Sequence, residues 1–349
     1  MSDDSILSVE RYNALEIEGK VKLSNRFLEA FQPEHFNMVG WPTRINKDEE
    51  VYKYLDSMHD GRLKLYYDAA MAPVENEFEF IKNLCRDIYE FSRDKFCNGG
   101  GGIVLKAPLL CSVNVLRQLS QIFNIIGGNE KPTIFETGGG CGALGAMLHT
   151  KAFPYVSTDI TQAFYLTQNC LWNGLFPEEV YECTNSLDDL NNIKKSCMLH
   201  VPYWKLWELK DSDLEADIMV ANHCMSEMHS RSLRFYLQYG KRLMRNSKYK
   251  LLFAQSIYNS ANNTAANVFK ICKEYGYELI YNDRWHYVFA LIDQPKKVEI
   301  NQALVKFNHD MSSAEKVSWN DIEAYYTSYG ENIDTPDEAF VHYIGLERI

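Results

Sequence analysis

Apolar residues recur along the chain with two different periods, and the period changes near residue 130. Before that point, apolar side chains return every three or four residues, as they do on one face of a helix. This spacing predicts helices over residues 51–58, 78–91 and 109–126. The four glycines at 99–102 suit a hinge, because glycine loses the most backbone entropy on ordering. Residues 1–127 are therefore predicted to form a helical N-terminal region.

After residue 132, short β-prone runs alternate with helical segments. Strands are predicted at 133–137, 155–159, 218–221 and 251–254, and helices at 143–149, 161–172 and 233–243. This alternation is typical of a mostly parallel sheet with helices on both faces. The runs 277–281 and 286–292 are separated by only four residues, which is too short for a parallel crossover, so they form an antiparallel pair. Thr264 and Gly276 are suited to begin and end the helix before them.

Composition and charge exclude several classes of protein. Lys and Arg total 36 against 47 Asp and Glu, and the net charge of −11 argues against a dedicated binder of duplex nucleic acid. The apolar runs are strand-sized, and the acidic start lacks the pattern of a signal peptide, so a cytoplasmic protein with no membrane span is expected. The nine cysteines include no C-x-x-C pair, which argues against a zinc site or a disulfide framework.

One motif carries the chemistry, and it lies between a predicted strand and a predicted helix. It reads Glu136-x-Gly138-x-Gly140-x-Gly142. Glycines allow the turn to reach positive φ and a ligand to press against the backbone, while the helix N-terminus directs its amides at that ligand. Asp159, at the end of the next strand, is placed to accept hydrogen bonds from both hydroxyls of a ribose. A tight turn alone would not require acidic residues at positions 136 and 159. The spacing of Glu136, the glycines and Asp159 therefore favours a ligand site.

These residues resemble the class I S-adenosylmethionine-dependent methyltransferases. In that family an acidic residue precedes alternating glycines, and a ribose-binding acid follows one strand later. Segment 217–223 is similar to the strand-four motif, and the pair at 277–292 looks like the antiparallel end of the family's sheet. The resemblance covers residues 132–293 and implies a Rossmann-like methyltransferase domain over 128–349, with a C-terminal extension. The implied cofactor is S-adenosylmethionine, bound by Glu136, Gly138, Gly140, Gly142, Asp159 and Asn222. For the adenine contact, residues 181–188 offer several candidates and no clear choice.

The N-terminal helices and segment 222–229 look like those of sugar O-methyltransferases from bacterial glycan and natural-product clusters. This narrower resemblance implies that the acceptor is a sugar hydroxyl or a glycosylated metabolite, with the N-terminal region as a lid over it. Methylation of a small-molecule nitrogen stays open, as do homodimer formation through the N-terminal region and a binding protein that has kept the fold. Tyr66, Tyr67 and Asp68 are candidates for the lid.

The same glycines allow a rival interpretation. Gly140-x-Gly142-x-x-Gly145 satisfies the dinucleotide pattern, and Asp159 follows Gly140 by 19 residues, as a ribose acid would in an NAD(P)-dependent oxidoreductase. Against it, Glu136 would repel a pyrophosphate, and the sheet ends in an antiparallel pair. A methyl donor carries a sulfonium and an ammonium but no phosphate, so an acid beside the loop is tolerated. These features favour the methyl donor.

Asn222 and His223 directly follow the 218–221 strand. They are therefore expected at the carboxyl-end edge of the sheet, where ligands bind in open α/β folds. If a helix begins there, His223 and Glu227 share one of its faces, and His229 is rotated away. His223 is the predicted general base for the acceptor hydroxyl, with Glu227 holding its other nitrogen. The alternative is that His223 caps the helix and Glu227 faces water. His229 is a third catalytic candidate if a loop turns it inward.

No metal site is expected. Metal-dependent O-methyltransferases gather two or three carboxylates near the acceptor, whereas Asp159, Asp217 and Glu227 are scattered along the sequence. Several aromatic residues also lie close to the predicted strand ends. Tyr203, Trp204, Trp207 and Trp285 could stack on a sugar ring, but such residues more often belong to a core.

Overall fold

The computed structural model describes residues 6–39, 43–57, 63–68, 72–96, 101–127, 129–184, 187, 198–209 and 212–330. Glycines 99 and 100 of the predicted hinge lie outside these residues, as do Met58 and most of 185–197. The predicted hinge is therefore not tested. Within the described residues, strands and helices alternate from residue 134 onward in the predicted order.

The described residues contain eight strands in one sheet: β1 (Ile134–Thr137), β2 (Tyr155–Asp159), β3 (Val180–Glu182), β4 (Met198–Pro202), β5 (Ile218–Asn222), β6 (Leu251–Gln255), β7 (Tyr277–Asn282) and β8 (His286–Leu291). Their order is β3-β4-β2-β1-β5-β6-β8-β7. All neighbouring strands are parallel except β8, which is antiparallel to both β6 and β7. The predicted α/β class and the antiparallel end of the sheet are confirmed.

The sheet contains two strands, β3 and β4, that were not predicted from the sequence. The strand beside β2 is β4, with Tyr155 opposite Met198, whereas β3 is the outer edge strand. Tyr203 and Trp204, which directly follow β4, are fully buried, and Trp204 packs edge-on against Tyr12 at 4.9 Å between ring centroids. These two aromatic residues belong to the core, whereas Trp207 is 41% exposed.

The helices are distributed along the whole described chain. Their bounds are α1 (Val9–Lys20), α2 (Asn25–Ala30), α3 (Val51–Ser57), α4 (Leu63–Tyr66), α5 (Glu75–Phe96), α6 (Lys106–Ile126), α7 (Ala143–Thr150), α8 (Gln162–Leu175), α9 (Leu206–Leu209), α10 (Ser230–Leu243), α11 (Ala265–Glu274), α12 (Lys297–Ser313) and α13 (Trp319–Gly330). As predicted, Thr264 caps α11 by accepting a hydrogen bond from the backbone N–H of Asn267 (3.2 Å), and Gly276 follows with φ of 79°.

Both faces of the sheet are covered, and the N-terminal helices contribute to both cores. Strand alternation sends Phe135 into one hydrophobic core and Ile134 into the other. Tyr12 of α1 belongs to the Phe135 core, while Ile81 of α5 and Leu109 of α6 belong to the Ile134 core. The described helices of the N-terminal region are thus packed directly against the sheet that carries the glycine motif.

Among the described residues, one helix meets the length and hydropathy criteria for a membrane span, although the continuous apolar runs of the sequence are only strand-sized. It is α6, with 21 residues and a mean hydropathy of 1.2 over its most apolar window. In the described structure 61% of that window is buried, and Leu109, Val115 and Leu119 are completely inaccessible. A single helix of this kind is weak evidence for a membrane span, because core helices meet the same criteria.

Polar contacts hold α1 and the residues near Arg44 against the elements around the glycine motif. Glu16 of α1 is 3% exposed and accepts hydrogen bonds from Tyr203 (2.6 Å) and from Arg44 (2.8 and 3.0 Å). The backbone N–H of Ile45 donates to Gln162 of α8 at 2.8 Å. Since α8 begins just after Asp159, these contacts attach α1, Arg44 and Ile45 to the wall of the predicted cofactor site.

Candidate active site

The glycine loop joins β1 to α7 and adopts the backbone that the motif predicts. Gly138, Gly140 and Gly142 have φ of 68°, 56° and 84°, all in the region that disfavours a side chain. A Cβ on Gly138 would lie 2.8 Å from the Cβ of Cys224, and one on Gly142 would lie 2.8 Å from Nε1 of Trp172. A Cβ on Gly140 would meet no atom within 4 Å. Gly140 therefore presents bare backbone to open space, and that space is a cavity.

Asp159 ends β2 and lies beside this loop. Its Oδ1 accepts hydrogen bonds from the backbone N–H (2.9 Å) and the hydroxyl (3.0 Å) of Thr161. Its Oδ2 accepts longer ones from the backbone N–H of Gly140 (3.3 Å) and from Nε2 of Gln168 (3.2 Å). Burial raises the pKa of Asp159, and these hydrogen bonds offset part of the rise. The carboxylate lines the cavity, and its two longer bonds are the easier ones to exchange for a ligand.

Glu136 lies in β1 but is not part of the cavity lining. It is 1% exposed, and its Oε2 accepts a hydrogen bond from the hydroxyl of Tyr155. Its Oε1 has no hydrogen-bond partner among the described residues. Burial raises the pKa of Glu136 to about 7, the Tyr155 hydrogen bond lowers it in part, and the charge of Asp159 adds to the rise. The predicted acid is thus present beneath the loop as a buried carboxyl group.

The cavity has a volume of about 380 Å³ and lies at the carboxyl ends of β1, β2, β5 and β6. This size is within the usual range of small-molecule sites. Gly138, Gly140 and Asp159 line it, together with Asn222, His223 and Glu227. The structure therefore brings most of the residues selected from the sequence around one space.

Asn222 and His223 enter the cavity at the end of β5, as predicted. Oδ1 of Asn222 is buried and has no hydrogen-bond partner among the described residues. His223 has φ of 63°, and its backbone N–H donates to the carbonyl of Gln255 at 3.1 Å. The expectation that a helix begins here was wrong, because residues 225–227 form a turn and α10 begins only at Ser230. The turn nevertheless places Glu227 on the same cavity as His223.

Glu227 is held by the loop that follows β6. The hydroxyl of Tyr258 donates to its Oε1, and Nδ2 of Asn262 donates to its backbone carbonyl at 2.7 Å. Tyr258 also lines the cavity. Tyr258 was not selected from the sequence, although it lies three residues beyond β6, at the same edge of the sheet as Asn222 and His223.

His229 is not among the cavity-lining residues. It is the N-cap of α10, and its Nδ1 accepts a hydrogen bond from the backbone N–H of Arg231 at 3.3 Å. Its ring stacks on that of His35 with 4.4 Å between centroids. Burial, the neighbouring His35 and Arg231 all lower the pKa of His229. The structure thus places His229 apart from His223 and Glu227.

Elements of the N-terminal region form one wall of the cavity. Phe36, Leu65 and Tyr66 line it, as do residues from the start of α6. The Tyr66 ring lies 5.9 Å from those of both His223 and Trp285, in edge-on contacts. The other two lid candidates point elsewhere: Tyr67 donates a hydrogen bond to the carbonyl of Val317 (2.9 Å), and exposed Asp68 pairs with Lys64.

The charged groups of the lining are few. Asp159 and Glu227 are its carboxylates, and among the described lining residues there is no Lys or Arg. In the described part of the chain, no group of three or more His, Cys, Asp or Glu side chains is placed to hold a metal ion.

No family model matches the sequence, and no curated protein matches it. Part of the fold resembles solved methyltransferases. A TehB-like SAM-dependent methyltransferase from Corynebacterium glutamicum is 12% identical over 50% of this chain and 87% of its own, with a TM-score of 0.34. Magnesium protoporphyrin IX methyltransferase from Synechocystis, solved with bound SAH, is 9% identical over 54% of this chain and 88% of its own, with a TM-score of 0.35. The bifunctional kinase-methyltransferase WbdD is 12% identical over 51% of this chain and 38% of its own, with a TM-score of 0.34. Scores this low do not assign a function, which has to be argued from the site itself.

Proposed function

We propose that this protein is an S-adenosylmethionine-dependent methyltransferase that methylates an oxygen of a small-molecule acceptor. The observation that carries the proposal is the cavity edge shared by the bare backbone of Gly140, the carboxylate of Asp159 and the His223 side chain. A nucleoside-binding loop and a candidate proton acceptor thus open into one space. Such a combination suits transfer between two bound small molecules.

The residues at the glycine loop fit the methyl donor. Asp159 would hold the ribose by exchanging its two longer hydrogen bonds for bonds from the ribose hydroxyls. Gly140 leaves room for close approach, and the unpartnered Oδ1 of Asn222 can accept a hydrogen bond from the ammonium of the methionine part. The donor supplies an electrophilic methyl group. The buried carboxyl of Glu136 next to this loop disfavours the pyrophosphate of a dinucleotide.

His223 is the group that we assign to the acceptor hydroxyl. As the acceptor oxygen bonds to the methyl carbon, the carbon–sulfur bond breaks, sulfur keeps the electron pair, and the hydroxyl proton passes to the imidazole. A sugar hydroxyl needs such a base because it is a weak nucleophile. The aromatic rings of Tyr66 and Trp285 beside His223 support a sugar as the acceptor, since aromatic faces stack on sugar rings.

We assign the lid over the acceptor to the N-terminal elements. Their contribution to the lining through Phe36, Leu65 and Tyr66 supports this role, because an acceptor pocket has to exclude water from the reacting atoms. The lid in this proposal is packed into the fold and not loosely attached, since the same region shares both hydrophobic cores.

Calorimetry tests the proposal directly. The protein should bind S-adenosylmethionine and S-adenosylhomocysteine and give no response to NADH. Asp159→Ala should weaken donor binding about ten-fold or more, through loss of charge-assisted hydrogen bonds worth about 1.5–3 kcal/mol. Asp213→Ala, which removes an exposed carboxylate, is the control and should leave binding unchanged. Tight NADH binding without donor binding would refute the proposal in favour of an oxidoreductase.

A further inference from the structure

The described residues form a second cavity at the amino ends of β1 and β2, whereas the glycine loop lies at their carboxyl ends. Its volume is about 310 Å³, within the range of small-molecule sites. It shares no lining residue with the larger cavity. We call it the basal groove, and its lining includes Leu116, Ser120, Phe123, Lys131, Lys151 and Phe153.

Part of the basal groove is apolar. Leu116 and Phe123 contribute to it from one side of α6, and Phe153 contributes from the segment before β2. Phe153 is 6% exposed, whereas Leu116 and Phe123 are only partly buried. A ligand that covers these side chains removes apolar surface from water, which favours its binding. The groove therefore suits the apolar body of a small molecule.

Two exposed lysines add positive charge to the same groove. Nζ of Lys131 donates a hydrogen bond to the carbonyl of Lys151 and lies 5.2 Å from the ring centroid of Phe153. Nζ of Lys151 lies 4.2 Å from the ring centroid of Phe80. Among the described residues, no carboxylate forms an ion pair with either lysine. A carbonyl group or a ring does not neutralise an ammonium, so both lysines keep their charge beside the apolar surface.

Two further lysines lie close to the groove, at the end of α6. Nζ of Lys296 donates to the carbonyl of Ile125 at 3.0 Å, and Nζ of Lys248 donates to that of Gly127. Four lysines are thus gathered here in a chain whose net charge is −11. Glu130, the acidic residue next to Lys131 in the sequence, is exposed and does not line the groove. The local potential therefore favours an anion.

We propose that the basal groove binds a small carboxylic acid with an apolar body, of the medium-chain or aryl-alkyl class. The apolar body covers Leu116, Phe123 and Phe153, and the carboxylate pairs with Lys131 and Lys151. A small inorganic anion would use the lysines but leave the apolar surface in water, and a cationic ligand would be repelled. This site does not depend on the proposed function, because the donor and acceptor residues lie at the opposite ends of the strands.

Ligands that share one apolar body and differ in charge test the inference. Calorimetry at pH 7 compares octanoate with octanamide and octylamine, and 4-phenylbutyrate with its amide and its amine. In at least one series the carboxylate should bind with a Kd below about 1 mM. It should bind at least ten-fold more tightly than the amide and the amine of that series. Acetate has the charge without the apolar body and should not bind.

Variants assign the binding to the groove. Lys151→Gln removes one charge and should weaken binding of the carboxylate at least five-fold while leaving that of the amide unchanged, and Lys131→Gln should act in the same direction. Ser120→Trp, at an exposed position of α6, fills the groove and should abolish binding of both ligands. Lys306→Gln, on the exposed face of α12, is the control and should bind as the wild type does. Thermal melts verify that each variant is folded.

Three results would overturn the inference. The first is that neither carboxylate binds, and the second is that the amide or the amine binds as tightly as the carboxylate in both series. The third is that the affinity for the carboxylate is unchanged in Lys151→Gln or in Ser120→Trp, which would place the bound ligand elsewhere on the protein.

Discussion

Two residues beside the cavity have a backbone conformation that is rare outside glycine. His223 and Ser256 have φ of 63° and 61°, and each directly follows its strand, β5 or β6. Hydrogen bonds from their backbone N–H groups to Gln255 (3.1 Å) and Trp285 (2.7 Å) hold them there. Such conformations cost about 1–3 kcal/mol and persist where the surrounding structure fixes them. Both residues line the cavity, which agrees with a functional use of the strain.

The proposed base gives the first residue-level prediction. His223→Ala should lower kcat by about 10²–10⁴ with an almost unchanged donor Kd, because a general base acts on the acceptor and not on the donor. His223→Asn is the matched variant, since asparagine tolerates the left-handed backbone but accepts no proton. It should lose as much activity while melting closer to the wild type than the alanine variant does. Near-normal turnover in either variant would place the base elsewhere.

Glu136 gives a prediction about stability and pH. Its pKa is raised to about 7 by burial, so between about pH 4.5 and 7 the folded protein holds a proton that the unfolded chain has lost. Its contribution to stability is therefore present at low pH and is lost as the pH rises through about 7. Glu136→Gln cannot ionise and keeps an acceptor for Tyr155.

The melting temperature of Glu136→Gln relative to the wild type should rise between pH 5 and pH 8, by the equivalent of about 3 kcal/mol at most. Thermal melts across this pH range measure the difference, and Glu18→Gln serves as the exposed control. A difference that stays constant with pH would show that Glu136 does not carry a raised pKa.

At the scale of elements, α1 is attached to the sheet by a buried carboxylate. Burial alone would raise the pKa of Glu16, but hydrogen bonds from Tyr203 and Lys20 and the charges of Lys20 and Arg44 lower it. Glu16 therefore contributes stability that is present at neutral pH and is lost on acidification. The side chains of Lys20 and Arg44 are about one third exposed, so solvent weakens the pairing and its contribution is moderate.

Two carboxylates of the same helix allow a matched test of this attachment. Glu16→Ala should lower the free energy of unfolding by about 1–3 kcal/mol at pH 7, because it leaves Tyr203 and Arg44 without their acceptor. Glu18→Ala, on the exposed face of α1, should change it by no more than about 0.5 kcal/mol. Urea unfolding of the two variants measures both effects. Equal losses would show that the Glu16 cluster does not anchor the helix.

Several elements could be predicted from the sequence because local rules determine them. The periodicity in α5 and α6, the short loop before β8 and the cap at Thr264 each depend on neighbouring residues, and all three are observed. The position of β4 depends instead on pairing with β2, more than 35 residues away, which no local pattern shows. The turn at 225–227 likewise replaces the expected helix because the loop after β6 wraps around it, with Ser260 donating to the carbonyl of Ser226.

The candidate site was predictable to a similar degree. Gly140 and Asp159 were selected from the glycine motif, whereas Asn222, His223 and Glu227 were selected because they follow the carboxyl end of a parallel strand. All five line the cavity. Tyr258 and Phe36 were missed, since neither belongs to a motif and each reaches the cavity through a loop or a distant segment. The burial of Glu136 could not be predicted from the sequence either, because it depends on contact with Tyr155 of the neighbouring strand.

At the scale of the whole molecule, residues before and after the glycine motif share two continuous cores. Four large apolar side chains among the described residues of the first 98, Tyr12, Leu55, Ile81 and Ile88, have no accessible surface. Tyr12 packs against Tyr165 and Trp204, and Ile88 lies in the same core as Tyr155. The region that we propose as the acceptor lid is thus part of the support for the proposed donor site.

This sharing predicts the result of removing residues 1–98. Each fully buried large apolar side chain contributes about 1.5–3 kcal/mol, so the four above amount to about 6–12 kcal/mol, comparable with the whole stability of a typical protein. The fragment 99–349 should therefore show no cooperative thermal transition in circular dichroism and no binding of the donor. Co-expression of residues 1–98 as a separate chain is the control and should restore both properties, since the lost surfaces are complementary. A fragment that melts cooperatively and binds the donor alone would mean that the sheet and its remaining helices fold without the N-terminal region, which would then act on the acceptor only.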